Sequence, residues 1–95
     1  MKEALINVVV LELGSVYVTR KAADTIERDD AFRALGRHMA GDWGNVAYRD
    51  WSANDEALEL GGGILSAYRD RHRSKFWIAT EADRSVTTIM LPEEY

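Results

Sequence analysis

The hydrophobic pattern divides the chain into strand-like ends around a helical middle. Residues Leu5–Leu13 are apolar on both faces and rich in β-branched side chains, which predicts a buried strand. Gly14 and Ser15 then mark a turn, and Val16–Thr19 has the pattern of a short second strand. We therefore predict a β-hairpin at this end of the chain. Its apolar segment is far too short for a membrane span, and no membrane partner is expected.

The middle of the chain has the spacing of amphipathic helices. A first helix is predicted from three apolar residues at helical spacing, Ala22, Ala23 and Ile26. A second helix is predicted to follow, with the Asp29–Asp30 pair at its N-terminal cap. Its apolar stripe is predicted to consist of Phe32, Leu35 and Met39. Gly41 is predicted to end this helix as the residue after its C-cap.

A third helix and three strands complete the predicted elements. Ser52 is predicted as the N-cap of the third helix, with Asp55 at the third helical position, and Gly61–Gly63 ends it. The predicted strands are Ile64–Tyr68, Phe76–Thr80 and Ser85–Leu91, joined by the loop Arg69–Lys75 and the turn Glu81–Arg84. Sequential strands with short connections indicate an antiparallel meander.

These elements predict a single α+β domain over residues 1–95. Its antiparallel sheet combines the C-terminal three-stranded meander with the N-terminal strands, and two to three short helices pack on one face. The chain has no cysteine, which excludes disulfides, thiol catalysis and cysteine-based zinc sites and suits a reducing cytoplasm. Its net charge of −4 argues against nucleic-acid binding over the whole surface.

Two blocks of sequence carry a family resemblance. They are Arg37–Gly44 (RHMAGDWG) and Trp77–Tyr95 (WIATEADRSVTTIMLPEEY), with Asn54 and Leu65–Tyr68 between them. From about Val16 to its last residue the chain resembles a family of small bacterial proteins carried by plasmids, phages and integrated elements. The resemblance implies a cytoplasmic accessory protein and no particular reaction. The chain departs from the family pattern in a longer N-terminal strand and a more basic hairpin loop.

The first charged group in these blocks surrounds His38 and Asp42. These two residues lie four positions apart, so on a continuing helix they would share a face and form an acid–base pair or half of a metal site. In the alternative interpretation, Arg37 and His38 are cations at a helix C-terminus, Asp42 organises the turn, and Trp43 fills the core. We favour the alternative, because a metal site needs more ligands than these two.

The second charged group is the turn Glu81–Arg84. Glu81 and Asp83 are candidate Mg²⁺ ligands of a nuclease-like site, with Lys75 nearby. In the interpretation that we favour, Arg84 forms an ion pair with Asp42 or Glu81 and pins the turn onto the loop after the second helix.

The hairpin loop between the first two meander strands is basic. Its cationic residues are Arg69, Arg71, His72, Arg73 and Lys75. They would contact nucleic acid only locally, through phosphates, since no aromatic residue lies among them to stack on bases. A solvated hairpin tip is the favoured interpretation.

The function expected from these observations is protein binding. We expect a cytoplasmic accessory protein of a mobile element that inhibits a host defence system, of the anti-CRISPR or anti-restriction type, without metal or cofactor. The predicted binding residues are Trp43, Trp51, Arg71, Arg73 and Arg84. The alternative is a small metal-dependent nuclease or hydrolase that uses His38, Asp42, Glu81 and Asp83. A homodimer that pairs the N-terminal strand across a two-fold axis is compatible with either function.

Overall fold

The secondary structure comes from a computed structural model that describes residues 10–95. In chain order the helices and strands are β1 Ser15–Val18, α1 Arg20–Thr25, α2 Arg28–Met39, α3 Tyr48–Leu60, β2 Ile64–Arg69, β3 Lys75–Thr80 and β4 Val86–Met90. A short 3₁₀ turn, Pro92–Glu94, follows β4. The three predicted meander strands are therefore confirmed, each within a residue or two of its predicted bounds.

The four described strands form one mixed sheet in the order β1-β4-β3-β2. Strands β2, β3 and β4 form the predicted antiparallel meander, with Ile78 opposite both Ser66 and Ile89. Strand β1 runs parallel to β4, with Val16 aligned to Thr87. The α+β class is confirmed, and the sheet is mostly antiparallel as predicted, with β1 and β4 as one parallel pair that was not predicted. All three helices lie in the connection between β1 and the meander. A long crossover connection of this kind is what allows two strands of one sheet to run parallel.

The second strand of the predicted N-terminal hairpin is confirmed as β1, but its partner in the sheet is β4. Most of the predicted first strand, Leu5–Val9, lies outside the described residues, and residues 10–13 form no strand. The N–H groups of Val10 and Leu11 both donate to the carbonyl of Met39, at 2.9 and 3.2 Å. Gly14 has a φ of +64°, and a Cβ there would lie 2.2 Å from the carbonyl oxygen of Ser85. Glycine thus lets the chain enter β1 directly beside β4.

Helices α1 and α2 differ from their predicted starts. The Thr19 hydroxyl accepts a 3.1 Å hydrogen bond from the Ala22 N–H and caps α1. Because α2 already begins at Arg28, Asp29 and Asp30 lie in its first turn rather than at its cap. Their negative charge still suits the helix N-terminus there. Gly41 has a φ of +83° after the C-cap of α2, as predicted.

The buried face of α2 is not the predicted stripe. Phe32 is 57% exposed, whereas Ala31, Ala34 and His38 are buried. Leu35 packs at the margin of the core. Two alanines let the helix backbone approach the sheet closely, and the polar His38 is buried because the sheet offers it hydrogen-bonding partners. A hydrophobicity pattern does not detect a buried histidine, so the stripe was predicted one position away.

Helix α3 begins one turn earlier than predicted. It starts at Tyr48, so the prediction of Ser52 as its N-cap is wrong. The side chain of Asp55 accepts the indole N–H of Trp43 at 2.9 Å instead of capping a helix. The helix ends before Gly61, whose φ is +90°, as predicted. In residues 10–95, no helix is long and apolar enough to cross a membrane.

The sheet buries one face against two apolar clusters. The larger cluster joins α1 and α2 to the sheet, and its members include Ala22, Ile26, Ala34, Tyr68, Phe76, Ile78 and Ile89. The smaller cluster centres on Leu11, Trp43 and Ile64 and is flanked by Trp51 and Leu58 of α3. Strict alternation along β2 and β3 puts every second side chain into this core and leaves the others half-buried on the opposite face.

Candidate functional site

A buried chain of hydrogen bonds runs through His38. Its Nδ1 lies 2.5 Å from the Ser66 hydroxyl oxygen, and its Nε2 lies 2.8 Å from that of Thr80. The Thr80 hydroxyl lies 2.7 Å from the Thr87 hydroxyl, which donates to the main-chain carbonyl of Leu13 at 2.8 Å. This buried polar chain therefore connects α2, three strands and the segment before β1.

The direction of these bonds fixes the tautomer of His38. The Thr87 hydroxyl donates its only proton to the Leu13 carbonyl, so in the bond between the two threonines the Thr80 hydroxyl must be the donor. Thr80 then accepts from His38, which places the ring proton on Nε2, and Nδ1 accepts from Ser66. Burial lowers the pKa of His38 to about 4, so the ring is neutral at pH 7. The interpretation of His38 as a cation at the helix end is therefore wrong.

Asp42 is occupied by Arg37 rather than by His38. The guanidinium of Arg37 donates to both carboxylate oxygens, at 2.7 and 3.1 Å, and this lowers the pKa of Asp42. Asp42 also accepts the N–H of Gly44 at 3.1 Å, which confirms its predicted role in organising the turn. Since both nitrogens of His38 bind hydroxyl groups, the structure does not bring His38 and Asp42 together as an acid–base pair.

The tryptophans predicted to bind a partner lie in and beside the core. Trp43 is 0% exposed, which confirms that it fills the core and leaves no surface for direct contact with a partner. Its ring meets that of His38 edge to face, with 5.6 Å between the centroids. Trp51 is half-buried at the margin of the smaller cluster.

The turn Glu81–Arg84 is fastened to the end of α3. The guanidinium of Arg84 donates to the main-chain carbonyls of Gly62, at 2.7 Å, and Ala57, at 2.9 Å. The predicted ion pair of Arg84 with Asp42 or Glu81 is therefore wrong, although the turn is pinned as expected. The last carbonyls of a helix have no partner within the helix, and a cation beside them is favoured.

The candidate metal ligands do not converge. Asp83 accepts the N–H and the hydroxyl of Ser85, at 3.0 and 2.6 Å, and these bonds lower the pKa of Asp83. Glu81 lies in the same turn, whereas His38 and Asp42 have the separate partners given above. Within the described range, 10–95, no three His, Cys, Asp or Glu residues are placed to hold a metal ion.

The basic hairpin loop is organised by Asp70, a buried carboxylate. Asp70 accepts the N–H groups of His72 and Ser74, both at 2.9 Å, and that of Glu27 at 3.1 Å. Burial raises its pKa, but these donors outweigh burial, so the pKa lies below its usual value. The loop is thereby closed on itself and joined to the start of α2.

A second acidic residue neutralises Arg71 in the hairpin loop. Asp30 accepts the main-chain N–H of Arg71 at 2.8 Å and two bonds from its guanidinium, at 3.0 and 3.2 Å. Nε2 of His72 lies 3.2 Å from a carboxylate oxygen of Glu27. Arg71 is therefore less available to a partner than predicted. Arg73 remains exposed at the tip, with a φ of +69°.

The sheet face turned away from α1 and α2 is an open surface that the sequence did not single out. It consists of the half-buried Leu65, Ala67, Trp77, Ala79 and Thr88 together with the buried Met90, and we call it the outer face. Trp77 meets Tyr95 edge to face, with 5.4 Å between the ring centroids. One depression of about 440 Å³ includes Tyr95 in its wall, and another of about 230 Å³ includes Trp77.

One end of the outer face is basic. Arg69 and Lys75 lie directly opposite each other in the β2–β3 pair, and both are exposed. In residues 10–95, neither side chain takes part in an ion pair. The smaller depression lies between these two cations, Trp77 and Pro92. Aromatic and apolar groups thus adjoin two adjacent positive charges.

Several residues that organise this structure were missed in the sequence. Ser66 and Thr80 fall at buried positions of alternating strands, so their alternation was a usable signal for polar groups inside the core. The bonds that join the hairpin loop to the start of α2, from Glu27 to Asp70 and from Arg71 to Asp30, had no such signal because they link residues more than 40 positions apart.

Comparison with models of known protein families, with curated proteins and with solved structures finds no match to this chain.

Proposed function

We propose that this chain is a small cytoplasmic accessory protein of a mobile genetic element that binds another protein through its outer face. Its target would belong to a host defence system, so that binding inhibits defence of the CRISPR or restriction type. The setting rests on the resemblance of Arg37–Gly44 and Trp77–Tyr95 to proteins of mobile elements. The mode of action rests on the geometry of the sheet.

The observation that carries the proposal is the uncovered apolar surface beside β2, β3 and β4. Half-buried Leu65, Ala67, Trp77 and Ala79 form its floor, and Tyr95 stands 74% exposed above Trp77. Exposed clusters of aromatic and apolar side chains mark protein-binding surfaces, and tryptophan and tyrosine often dominate their binding energy. The depressions of about 440 and 230 Å³ on this face could receive protruding side chains of a protein.

The basic end of the outer face indicates the chemistry of the partner. Two adjacent cations, Arg69 and Lys75, favour a partner segment that places acidic residues next to apolar or aromatic ones. The same cations would attract phosphate groups. Protein is favoured over nucleic acid because the chain carries a net charge of −4 and Asp30 already neutralises Arg71 in the adjoining loop.

The test is capture of partners from a lysate of the bacterial host, repeated with two charge-reversed variants. Lys75→Glu alters the basic end of the outer face. Arg49→Glu makes the same change of charge at an exposed site in α3 and is the matched control. We expect one protein, identified by mass spectrometry, that binds the wild-type chain and Arg49→Glu in high salt. Its binding to Lys75→Glu should be weaker by at least about tenfold, measured with the purified pair.

Two results would contradict the proposal. A partner that binds Lys75→Glu as tightly as Arg49→Glu would use another surface. Retention of nucleic acid alone, lost as salt is raised, would instead make the basic end a phosphate-binding site.

A further inference from the structure

The two edge strands of the sheet, β1 and β2, differ in whether their outward main-chain groups are hydrogen-bonded. Along the β2 edge, the main-chain N–H and carbonyl of Ala67 bond to Trp43 and Asn45, at 3.1 and 2.7 Å. The side chain of Asn54 bonds to both main-chain groups of Leu65, at 2.9 and 3.4 Å. The β2 edge is therefore closed. At the other edge, no strand in residues 10–95 pairs with the far side of β1.

The hydrogen-bonding groups at the β1 edge follow from its pairing with β4. The N–H groups of Ser15 and Thr19 donate to the carbonyls of Ser85 and Ile89, at 2.9 and 3.0 Å. Main-chain direction alternates along a strand, so alternate residues face β4. Val16 and Val18 therefore direct their N–H and carbonyl groups away from the sheet. All four residues of β1 are exposed, including Val16 at 40% and Val18 at 43%.

We propose that a second copy of this chain pairs with the β1 edge, in an antiparallel arrangement about a two-fold axis at Tyr17. In this register, Val16 of one copy lies opposite Val18 of the other, and each such pair exchanges two main-chain hydrogen bonds. Tyr17, which is 59% exposed, faces Tyr17 of the second copy. The two four-stranded sheets become one continuous sheet of eight strands. Tyr17 adjoins the outer face, because it aligns with Thr88, but the basic end of that face, Arg69 and Lys75, lies on β2 and β3 and is not part of this edge.

The conformation of the main chain determines the register of the proposed dimer. A two-fold axis at Val16 would also oppose outward-facing groups, but it would pair Gly14 with Val18. Gly14 has a φ of +64° and is not extended, so that ladder would be interrupted. An axis between Val16 and Tyr17 would place an outward-facing residue opposite one that faces β4. The axis at Tyr17 alone uses both valines fully.

The charges beside β1 favour a second copy over an unrelated strand. The strand itself, Ser15–Val18, has no charged residue. Glu12 precedes it, and Arg20 and Lys21 follow it, and all three side chains are exposed. Antiparallel pairing brings Glu12 of each copy toward the two cations of the other, at both ends of the paired strands. A parallel arrangement would place like charges together.

The helix side of the edge offers apolar surface to the same partner. A groove of about 430 Å³ runs beside β1, lined by Val18, Ala23, Ile26 and Phe32. Val16 and Val18 point to this side, because they align with the buried Thr87 and Ile89. In the proposed dimer, Val16 of the second copy lies next to Val18 and extends the wall of the groove. Burial of these side chains would add to the main-chain bonds.

The experiment measures the mass of the full chain by light scattering and sedimentation over a wide concentration range. Tyr17→Lys places two lysines opposite each other across the axis, and Tyr17→Glu places two glutamates there. Tyr48→Lys, at an 86% exposed tyrosine in α3, is the matched control, and circular dichroism verifies the fold of each variant. We expect a wild-type dimer that Tyr48→Lys preserves. Each Tyr17 variant should dissociate with a constant raised by on the order of tenfold or more.

Mixing the two Tyr17 variants tests the register itself. Lysine would then face glutamate across the axis, so an equimolar mixture should form a heterodimer at a concentration at which each variant alone is monomeric. A wild-type chain that stays monomeric would overturn the proposal. So would a dimer that survives Tyr17→Lys, a mixture that fails to form the heterodimer, or an edge that accepts only a foreign strand. The capture experiment with Lys75→Glu is unaffected by any of these results.

Discussion

Nε2 of His38 lies 2.8 Å from the hydroxyl oxygen of Thr80, and both residues are fully buried. The histidine that sequence reasoning placed at a candidate catalytic or metal site is therefore a neutral, hydrogen-bonded part of the core. Its chemistry matters for stability, and this can be measured.

The stability of the fold should fall in mild acid because of His38. Its pKa is about 4 in the folded chain and 6.5 as the ordinary value, so the unfolded chain binds the proton first as pH falls. The difference contributes about 3 kcal/mol to the free energy of unfolding above pH 6.5, and this contribution is lost as the pH falls from 6.5 to 4. Urea unfolding at a series of pH values measures this slope.

A matched pair of variants assigns that slope to His38. His38→Gln should abolish most of the dependence above pH 5, where few carboxylates titrate. Ser52→Ala, which removes no titratable group at an exposed site in α3, should leave it unchanged. An equal slope in wild-type and His38→Gln would show that another group is responsible.

Two glycines should respond oppositely to alanine. At Gly44, with a φ of +74°, a Cβ would lie 2.1 Å from the Ala67 carbonyl oxygen, so Gly44→Ala should cost more than about 2 kcal/mol. At Gly36, within α2, a Cβ meets nothing within 4 Å, so Gly36→Ala should stabilise the chain by about 0.5–1 kcal/mol. Free energies of unfolding in urea decide both. A stable Gly44→Ala would mean that the contact with β2 is loose.

Removal of the Asp70 carboxylate should loosen the hairpin loop. Asp70→Ala leaves three N–H groups without their acceptor and should cost about 2–3 kcal/mol. Hydrogen exchange of the Glu27, His72 and Ser74 amides should become faster. Asp24→Ala, at an exposed site in α1, is the control and should stay within about 0.5 kcal/mol of wild type. Unchanged exchange at all three amides would contradict this account of the loop.

Two substitutions separate the roles of the main chain and the side chain at Arg84. Both Arg84→Ala and Arg84→Gly lose the bonds to Ala57 and Gly62, which should cost about 1–3 kcal/mol. The φ of +63° at this position suits glycine, so Arg84→Gly should be the more stable of the two by up to about 1 kcal/mol. Thermal unfolding at neutral pH compares them. If alanine were the more stable, the turn would not hold this conformation.

The sequence predicted what is local in this fold. Strands β2, β3 and β4 alternate regularly and are joined by short turns, so their order, direction and approximate bounds were all predictable. The partner of β1 was not, because parallel pairing with β4 depends on where the intervening helices lead the chain. The N-cap of α3 was missed for a similar reason, since Asp55 bonds to Trp43 rather than to its own helix.

The site residues were harder to predict than the elements. The type of residue at His38, Asp42, Asp83 and Arg84 suggested chemistry, but each side chain has a structural partner. These partners are a strand hydroxyl for His38, a helix guanidinium for Asp42, a turn serine for Asp83 and main-chain carbonyls at the end of α3 for Arg84. Such partners are decided by packing, which spacing along the sequence does not record. The outer face was missed because its residues are individually ordinary and form a surface only when three strands place them side by side.

The parallel pairing of β1 with β4 also affects the order in which the strands join the sheet during folding. The Thr87 hydroxyl holds the carbonyl of Leu13, a residue 74 positions away, whereas the meander forms from neighbouring segments. Closing such a long loop has an entropic cost before any contact offsets it, so β1 should join the sheet late, after β4 is in place. Substitutions in β1 should then speed unfolding and barely change the refolding rate. A chain emerging from the ribosome would hold β1 without its β4 partner until Val86–Met90 had been translated.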